Sequence, residues 1–132
     1  MGEKRKIFIV DDDNFLLDMY ALKFSQNNFE VYTAGNGTQA LEKLKDGLVP
    51  DVMLLDIIMP EMDGFEMLEE IVKENIAPNC VKIILSNKSD ERDISRGKEL
   101  GAAGYIVKAN STPAEVIDQV IKILEKKVVV PQ

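Results

Sequence analysis

The sequence predicts an α/β domain in which five βα units form a parallel sheet with helices on both faces. Short apolar runs of strand length alternate with longer segments in which apolar residues recur at helical spacing. The links are short, and this alternation is typical of a three-layer domain with right-handed crossovers. The third run, residues 51–56, is apolar almost throughout, which indicates a central strand covered on both faces.

Each element carries local signals of its own. The predicted strands are runs of β-branched and other apolar residues that span about 6–11, 29–34, 51–56, 80–86 and 103–108. The predicted helices show apolar residues three and four apart and lie within about 14–27, 36–47, 64–75, 90–100 and 112–127. We expect residues 1–127 to form one domain and residues 128–132 a short tail.

Three helices are predicted to start at capping pairs, in which two side chains bind the free N–H groups of the first turn. The pairs are Asn36 with Gln39, Asp63 with Glu66, and Thr112 with Glu115. Pro113 at the first helical position strengthens the last of these starts, and Gly47 is suited to end the second helix.

The fourth helix, within residues 90–100, has only two large apolar residues, Ile94 and Leu100. Gly97 lowers its helix propensity by about 1 kcal/mol relative to alanine. This composition predicts a weakly packed helix, which can move at a low cost in free energy. The fifth helix has a broad apolar stripe, which we interpret mainly as core packing.

Composition excludes several classes of function. The chain has 132 residues, a net charge of −7 and no apolar stretch that approaches the length of a membrane span. We therefore expect a cytoplasmic protein that binds neither membrane nor nucleic acid directly. The absence of histidine excludes a Ser-His triad and a phosphohistidine. Cys80 is the single cysteine and is predicted to be a buried structural thiol.

Polar residues suited to phosphoryl chemistry stand at the ends of four predicted strands. Asp11 and Asp12 follow the first strand, Asp56 ends the third, Ser86 the fourth and Lys108 the fifth. In an open parallel sheet, ligands bind beyond the carboxyl ends of the strands. We therefore expect carboxylates, a hydroxyl and an ammonium to meet in one cleft, a set that suits a divalent cation and a phosphoryl group.

These motifs resemble the receiver domain of two-component response regulators, over nearly the whole chain. The matching pieces are Asp11-Asp12, the segment LDIIMPEMDG at 55–64, Ser86, and GYIVK at 104–108. The resemblance implies a flavodoxin-like (βα)5 fold with strand order 2-1-3-4-5. It also implies either a stand-alone regulator of the chemotaxis type or a receiver cut from a longer protein. In both cases a histidine kinase or phosphotransfer protein supplies the phosphoryl group.

The resemblance also implies roles for the site residues. Asp56 is the expected phosphoacceptor, and Mg²⁺ (or Mn²⁺) is the expected cofactor. Asp12 would ligate the cation directly and Asp11 through water, with Asp56 and the backbone carbonyl of Ile58 as further ligands. The chain is then no enzyme, apart from self-catalysed phosphoryl transfer to and from Asp56.

The same resemblance implies a switch. Lys108 would pair with Asp56 at rest and with a phosphoryl oxygen afterwards. Ser86 would donate a hydrogen bond to the phosphoryl group, and Tyr105 would rotate inward. The surface formed by the fourth helix, fifth strand and fifth helix would then change. The downstream target stays open, as does the choice between a monomer and a phosphorylation-dependent homodimer.

Three positions depart from the family pattern. Ala109 stands where the family usually has a proline joined by a cis peptide, so either the bond is trans and the loop is rebuilt, or strain is stored. Asn87 stands where a very small residue is usual, and we expect it to narrow access to Asp56. Ile58 cannot orient a water molecule, from which we expect slow loss of the phosphoryl group.

Three other functions remain open from the sequence. The first is a degenerate receiver that binds partners without phosphorylation. The second is an aspartyl-phosphate phosphatase of the haloacid-dehalogenase kind, although such enzymes carry an acid where this chain has Ile58. The third is a flavin or nucleotide binder, which the acidic, glycine-free loop after the first strand disfavours.

Overall fold

The computed structural model describes residues 4–127, which form a parallel five-stranded sheet with helices on both faces. The strands are β1 (Arg5–Val10), β2 (Phe29–Ala34), β3 (Val52–Leu55), β4 (Val81–Ser86) and β5 (Ala102–Val107). The helices are α1 (Asn14–Gln26), α2 (Gly37–Lys45), α3 (Gly64–Lys73), α4 (Glu91–Glu99) and α5 (Pro113–Lys127). The order is β2-β1-β3-β4-β5, which confirms the predicted fold and strand order. The predicted tail lies outside the described residues.

Two of the polar residues at the strand ends, Asp56 and Lys108, lie one step outside the sheet, whereas Ser86 is the last residue of β4. Asp56 follows the last residue of β3, and Lys108 begins a 3-10 turn, Lys108–Asn110, after β5. Both had been predicted as the last strand residues. The ladder between β4 and β5 ends at the pair Ser86 and Val107, so Lys108 has no strand partner and its backbone is free to turn.

Alternate residues of each central strand pack on opposite faces of the sheet, as the pleat of a strand requires. Phe8, Met53 and Ile84 point to the face covered by α2 and α3, where Leu41 and Leu68 join the same cluster. On the other face, side chains of α1 and α5 pack on the sheet, namely Leu17, Tyr20, Phe24, Val116, Ile117, Val120 and Leu124. The predicted apolar stripe of α5 is therefore core packing.

Two of the three predicted capping pairs are complete. Asp63 and Glu66 bind each other's backbone N–H groups, as do Thr112 and Glu115. At the start of α2 the prediction was half wrong. Asn36 accepts from the N–H of Gln39 at 2.8 Å, but the Gln39 side chain accepts from the N–H of Gly35, one residue too early for a capping box.

Helix α4 is weakly packed, as its composition predicts. Gly97 is its one buried residue, and a Cβ there would lie 2.7 Å from Cδ1 of Ile84. Glycine therefore allows α4 to approach β4. On the outer side, Arg96 links α4 to α3 through Glu69 at 3.3 Å and through the ring of Phe65, 4.6 Å from the guanidinium carbon.

None of the helices in residues 4–127 combines the length and the apolar character that crossing a membrane would require. Cys80 is buried, as predicted, and burial raises the pKa of its thiol to about 12.

Helix α3 begins in close contact with the backbone that follows β3. The N–H of Gly64 donates to the carbonyl of Ile57 at 2.8 Å. A Cβ on Gly64 would lie 2.3 Å from the carbonyl oxygen of Asp56 and 2.9 Å from Cα of Ile57. Because both neighbours are backbone atoms, no side-chain rotation relieves such an overlap.

The first prediction concerns this contact. Gly64→Ala should lower the free energy of unfolding by about 2 kcal/mol, the middle of the range for overpacking, because α3 must shift away from β3. Urea unfolding measures the change. Gly35→Ala is the matched control, since a Cβ there meets only Oε1 of Gln39 at 3.7 Å. Equal stabilities for the two variants would contradict the assigned contact.

Candidate functional site

Three acidic side chains meet at the carboxyl edge of the sheet. Val10 of β1 pairs with Leu55 of β3, so Asp11 and Asp56 leave adjacent strands at the same level. Asp12 joins them, and each of the three offers a carboxylate oxygen within 4.8 Å of the others. Asp11 and Asp56 are buried, whereas Asp12 is exposed. The predicted acidic cluster is therefore assembled in the fold.

The carboxylate of Asp56 is fixed from two sides. Its Oδ1 accepts hydrogen bonds from the N–H groups of Ile57 at 2.7 Å and Ile58 at 3.3 Å. Its Oδ2 accepts from Nζ of Lys108 at 2.8 Å. The backbone donors were not foreseen from the sequence, because they arise from the turn of the chain after β3. Together these donors orient the carboxylate toward the open edge of the sheet.

Lys108 lies between two acids and not one. Its Nζ donates to Oδ2 of Asp11 at 2.8 Å as well as to Asp56, and its side chain is only 12% exposed. The pairing with Asp56 was predicted, and the pairing with Asp11 was missed. With all groups ionised, three carboxylates and one ammonium leave a net charge of −2 at this edge.

The pKa values of Asp11 and Lys108 are both raised, although an ion pair alone would lower that of the acid. Burial raises the pKa of Asp11, and this outweighs the lowering by hydrogen bonds from Lys108 and from the N–H of Asp13. Burial lowers the pKa of Lys108, but hydrogen bonds to Asp11 and Asp56 outweigh it, so that its pKa is raised. The ammonium therefore stays charged, while the buried carboxylate of Asp11 is destabilised.

The donor set fits a hard divalent cation. All of its ligand atoms are carboxylate oxygens, which Mg²⁺ and Mn²⁺ prefer to nitrogen or sulfur. Oδ1 of Asp11 already accepts from the N–H of Asp13 at 2.9 Å, yet each carboxylate oxygen can accept a second interaction. Exposed Asp12 leaves the cluster open to solvent on one side. The carbonyl of Ile58 as a further ligand stays a prediction.

The two predicted switch residues bind the same neighbour. Ser86 is fully buried at the end of β4, and its Oγ accepts from the N–H of Lys88 at 3.3 Å. The hydroxyl of Tyr105 donates to the carbonyl of Lys88. The segment between β4 and α4 is thus held at Lys88, whose N–H binds Ser86 and whose carbonyl binds Tyr105. This role of Lys88 could not be predicted from its side chain, because Lys88 takes part only through its backbone groups.

The two unusual residues near the site turn out to be partners. The structure has no cis peptide bond among residues 4–127, so the bond before Ala109 is trans and the loop is rebuilt as the 3-10 turn. The N–H of Ala109 donates to Oδ1 of Asn87 at 2.8 Å. The sequence singled out both positions but not their contact, which depends on two loops meeting in space.

Two further residues beside the acids have clear placements. Asp13 is the N-cap of α1 and accepts from the N–H of Leu16 at 3.1 Å, and it lies outside the acidic cluster. Ile58 is an exposed apolar side chain next to the phosphoacceptor candidate Asp56, with 58% of its surface accessible.

Comparison with known proteins points to one family. The sequence model of the response regulator receiver domain matches residues 7–121. A probable transcriptional regulator, ycf27, of Guillardia theta is 35% identical over 123 residues, which are 93% of this chain and 46% of the relative. The chain therefore spans about half the length of that relative.

Solved structures agree with the sequence match. A CheY-like receiver domain protein of Methanospirillum hungatei has a TM-score of 0.83 at 27% identity, over 93% of this chain and 95% of the other. The chemotaxis protein CheY4 of Vibrio cholerae has a TM-score of 0.83 at 26% identity, over 91% of this chain and 98% of the other. With its fold and its acidic edge, this chain belongs to the response regulator receiver domain family.

Proposed function

We propose that the chain accepts a phosphoryl group on Asp56 from a histidine kinase or phosphotransfer protein, and that it relays a signal in a two-component or phosphorelay system. The observation that carries the proposal is the carboxylate of Asp56 held by Lys108 beside two further acids. Binding alone would not need a buried, oriented carboxylate at the open edge of the sheet.

The transfer forms a bond between a carboxylate oxygen of Asp56 and phosphorus and breaks the phosphorus–nitrogen bond of the donor histidine. The electron pair of the broken bond returns to the imidazole. Lys108, already 2.8 Å from Asp56, then pairs with a phosphoryl oxygen. The residues suited to hold Mg²⁺ are Asp11, Asp12, Asp56 and the carbonyl of Ile58. When bound, the cation offsets the repulsion between the acids and the incoming phosphoryl group.

The signal is proposed to follow from the new acceptor oxygens. To donate to one of them, the hydroxyl of Ser86 moves, and its bond from the N–H of Lys88 is lost. Because Tyr105 also binds Lys88, a shift of this residue changes the position of the tyrosine. Helix α4, with one buried residue, then moves at little cost, so that the surface of α4, β5 and α5 adopts a second state.

The proposal also covers the extent of the domain, its location in the cell and its output. We take residues 1–127 as a receiver domain that acts in the cytoplasm, with no turnover of external substrates. Its output is a protein contact made by a monomer or by a phosphorylation-dependent homodimer.

The central prediction is an intact mass that rises by one phosphoryl group after incubation with acetyl phosphate and Mg²⁺. We expect the increase to be absent from Asp56→Asn and from samples treated with a chelator, because the acceptor or the charge compensation is then missing.

Beryllofluoride with Mg²⁺ provides the control for slow loading or fast loss. If neither acetyl phosphate nor beryllofluoride modifies the chain, the proposal fails, and a receiver that only binds partners is the better account.

A second prediction concerns the cation alone. Mg²⁺ at one hundred times its Kd should raise the free energy of unfolding by about 2.7 kcal/mol, because only the folded chain brings the acids together. Asp12→Asn should lose most of this gain in a thermal or urea titration. Asp18→Asn, which removes an exposed aspartate of α1, is the matched control. Equal gains in both variants would exclude Asp12 as a ligand.

A third prediction concerns the lifetime of the phosphoryl group. Ile58→Asn should speed its loss about fivefold, the worth of one hydrogen bond of about 1 kcal/mol to the attacking water. Ile58→Leu keeps the apolar character and should leave the rate unchanged. The decay of phosphorylated protein, followed by intact mass, gives both rates. An Asn variant that decays no faster than wild type would refute the slow-loss hypothesis.

A further inference from the structure

One hydrogen bond joins the two loops that border the site on the side of β4 and β5. Asn87 lies in the loop after β4 and Ala109 in the turn after β5, and the N–H of Ala109 donates to Oδ1 of Asn87 at 2.8 Å. The bond exists only because residue 109 has an N–H, which a proline lacks. It also fixes the orientation of the Asn87 amide, since only the oxygen can accept.

The two partners of this bond each neighbour a residue of the site. Asn87 directly follows Ser86, and Ala109 directly follows Lys108. Lys108 is itself held at 2.8 Å by Asp11 and Asp56. The bond therefore connects the loop that follows Ser86 to a part of the backbone that the buried ion pairs hold in place.

Because both partners are exposed, loss of this hydrogen bond should affect the position of the loop more than the stability of the fold. Both Asn87 and Ala109 are exposed, so water would satisfy either group if the bond were absent. Loss of the bond leaves no buried polar group unpaired, which is the usual reason for a large loss of stability. What changes is the freedom of the loop from Asn87 to Asp90 to move away from the turn.

We infer that Asn87 is a positioning residue that holds the loop after β4 in its resting place and thereby slows phosphoryl acceptance at Asp56. The inference rests on the proposed function, since it concerns the movement of Ser86 toward a phosphoryl group. The proposed movement of Ser86 toward that group displaces Asn87, the residue that follows it. The contact between Asn87 and Ala109 must then stretch or break, and its free energy adds to the barrier.

An experiment must separate two effects of Asn87. One is restraint of the loop by its hydrogen bond with Ala109, which we call the tether, and the other is steric obstruction of Asp56 by its side chain. Asn87→Leu keeps a side chain of similar length but has no acceptor. Asn87→Asp keeps both the size and an acceptor for the N–H of Ala109, and adds a charge. Ser89→Asp adds the same charge to the same exposed loop and controls for it. If Asn87 acted only as an obstruction, the Leu variant would behave like wild type and the Asp variant like Ser89→Asp.

The first readout is amide hydrogen exchange followed by NMR, which needs no phosphoryl transfer. Asn87→Leu should speed exchange at the N–H of Ala109, which loses its acceptor, and at the N–H of Lys88, which the tether holds near Ser86. Because the bond is exposed, we expect the lower part of the range for protein hydrogen bonds, an increase of about two- to fivefold. Asn87→Asp should keep both amides as protected as in Ser89→Asp.

The second readout is the rate of mass increase with acetyl phosphate and Mg²⁺. Asn87→Leu should accept the phosphoryl group about two- to fivefold faster than wild type, by the same estimate, and Asn87→Asp should match Ser89→Asp. Unchanged hydrogen exchange at the N–H of Lys88 in Asn87→Leu would show that the tether does not restrain the loop. Faster exchange without a faster reaction would overturn its role in the reaction.

Failure of the proposed function would look different. A wild-type chain that takes up neither a phosphoryl group nor beryllofluoride refutes that function, and the predicted effect on rate falls with it. The exchange at Lys88 would still decide, on its own, whether Asn87 holds the loop.

Discussion

The ammonium of Lys108, held between Asp11 and Asp56, is the interaction on which the rest of the site depends. Two buried carboxylates on adjacent strands repel each other, and the loss of hydration adds to their cost. Lys108 comes from beyond β5 and reaches them across the end of β4, where small, buried Ser86 stands. One side chain therefore joins the ends of β1, β3 and β5 and brings the separate polar residues into a single site.

This arrangement makes stability fall as the pH rises through two separate ranges. The pKa of Asp11 is raised by burial, so the folded chain holds that proton more tightly than the unfolded chain, and the group favours folding less as the pH rises through its titration. The pKa of Lys108 is raised by its hydrogen bonds, so its contribution is complete below its usual pKa and is lost as the pH rises through the folded value. Between these limits the ion pairs persist, although burial of excess negative charge still lowers stability.

Local signals were enough to predict most of the fold and the residues of the acidic edge. The capping pair Asp63 and Glu66 is fixed by neighbours three residues apart, and strand ends in a parallel sheet converge whatever the loops do. Contacts between loops could not be predicted, because they depend on how separate strands stack. The pairing of Lys108 with Asp11 and that of Asn87 with Ala109 are both of this kind.

Two glycines have contacts that could not be predicted, for a related reason. From the sequence, Gly97 is interpreted only through its low helix propensity, and Gly64 only as the first residue of a predicted helix. In the structure both are places of close approach, to Ile84 and to the backbone of Asp56. The reason for a glycine of this kind lies in the partner that it touches, which a single sequence does not identify.

The contact of Gly64 with the backbone of Asp56 divides the molecule into a stationary half and an adjustable half. With α3 seated against the chain after β3, the backbone that carries the carboxylate of Asp56 is held in place. All displacement must then be taken up on the side of β4, β5 and the weakly packed α4. On the proposed function, substitutions in the stationary half alter whether Asp56 accepts a phosphoryl group, whereas substitutions in the adjustable half alter the surface that partners meet afterwards. The two properties can therefore diverge independently among relatives that share one fold.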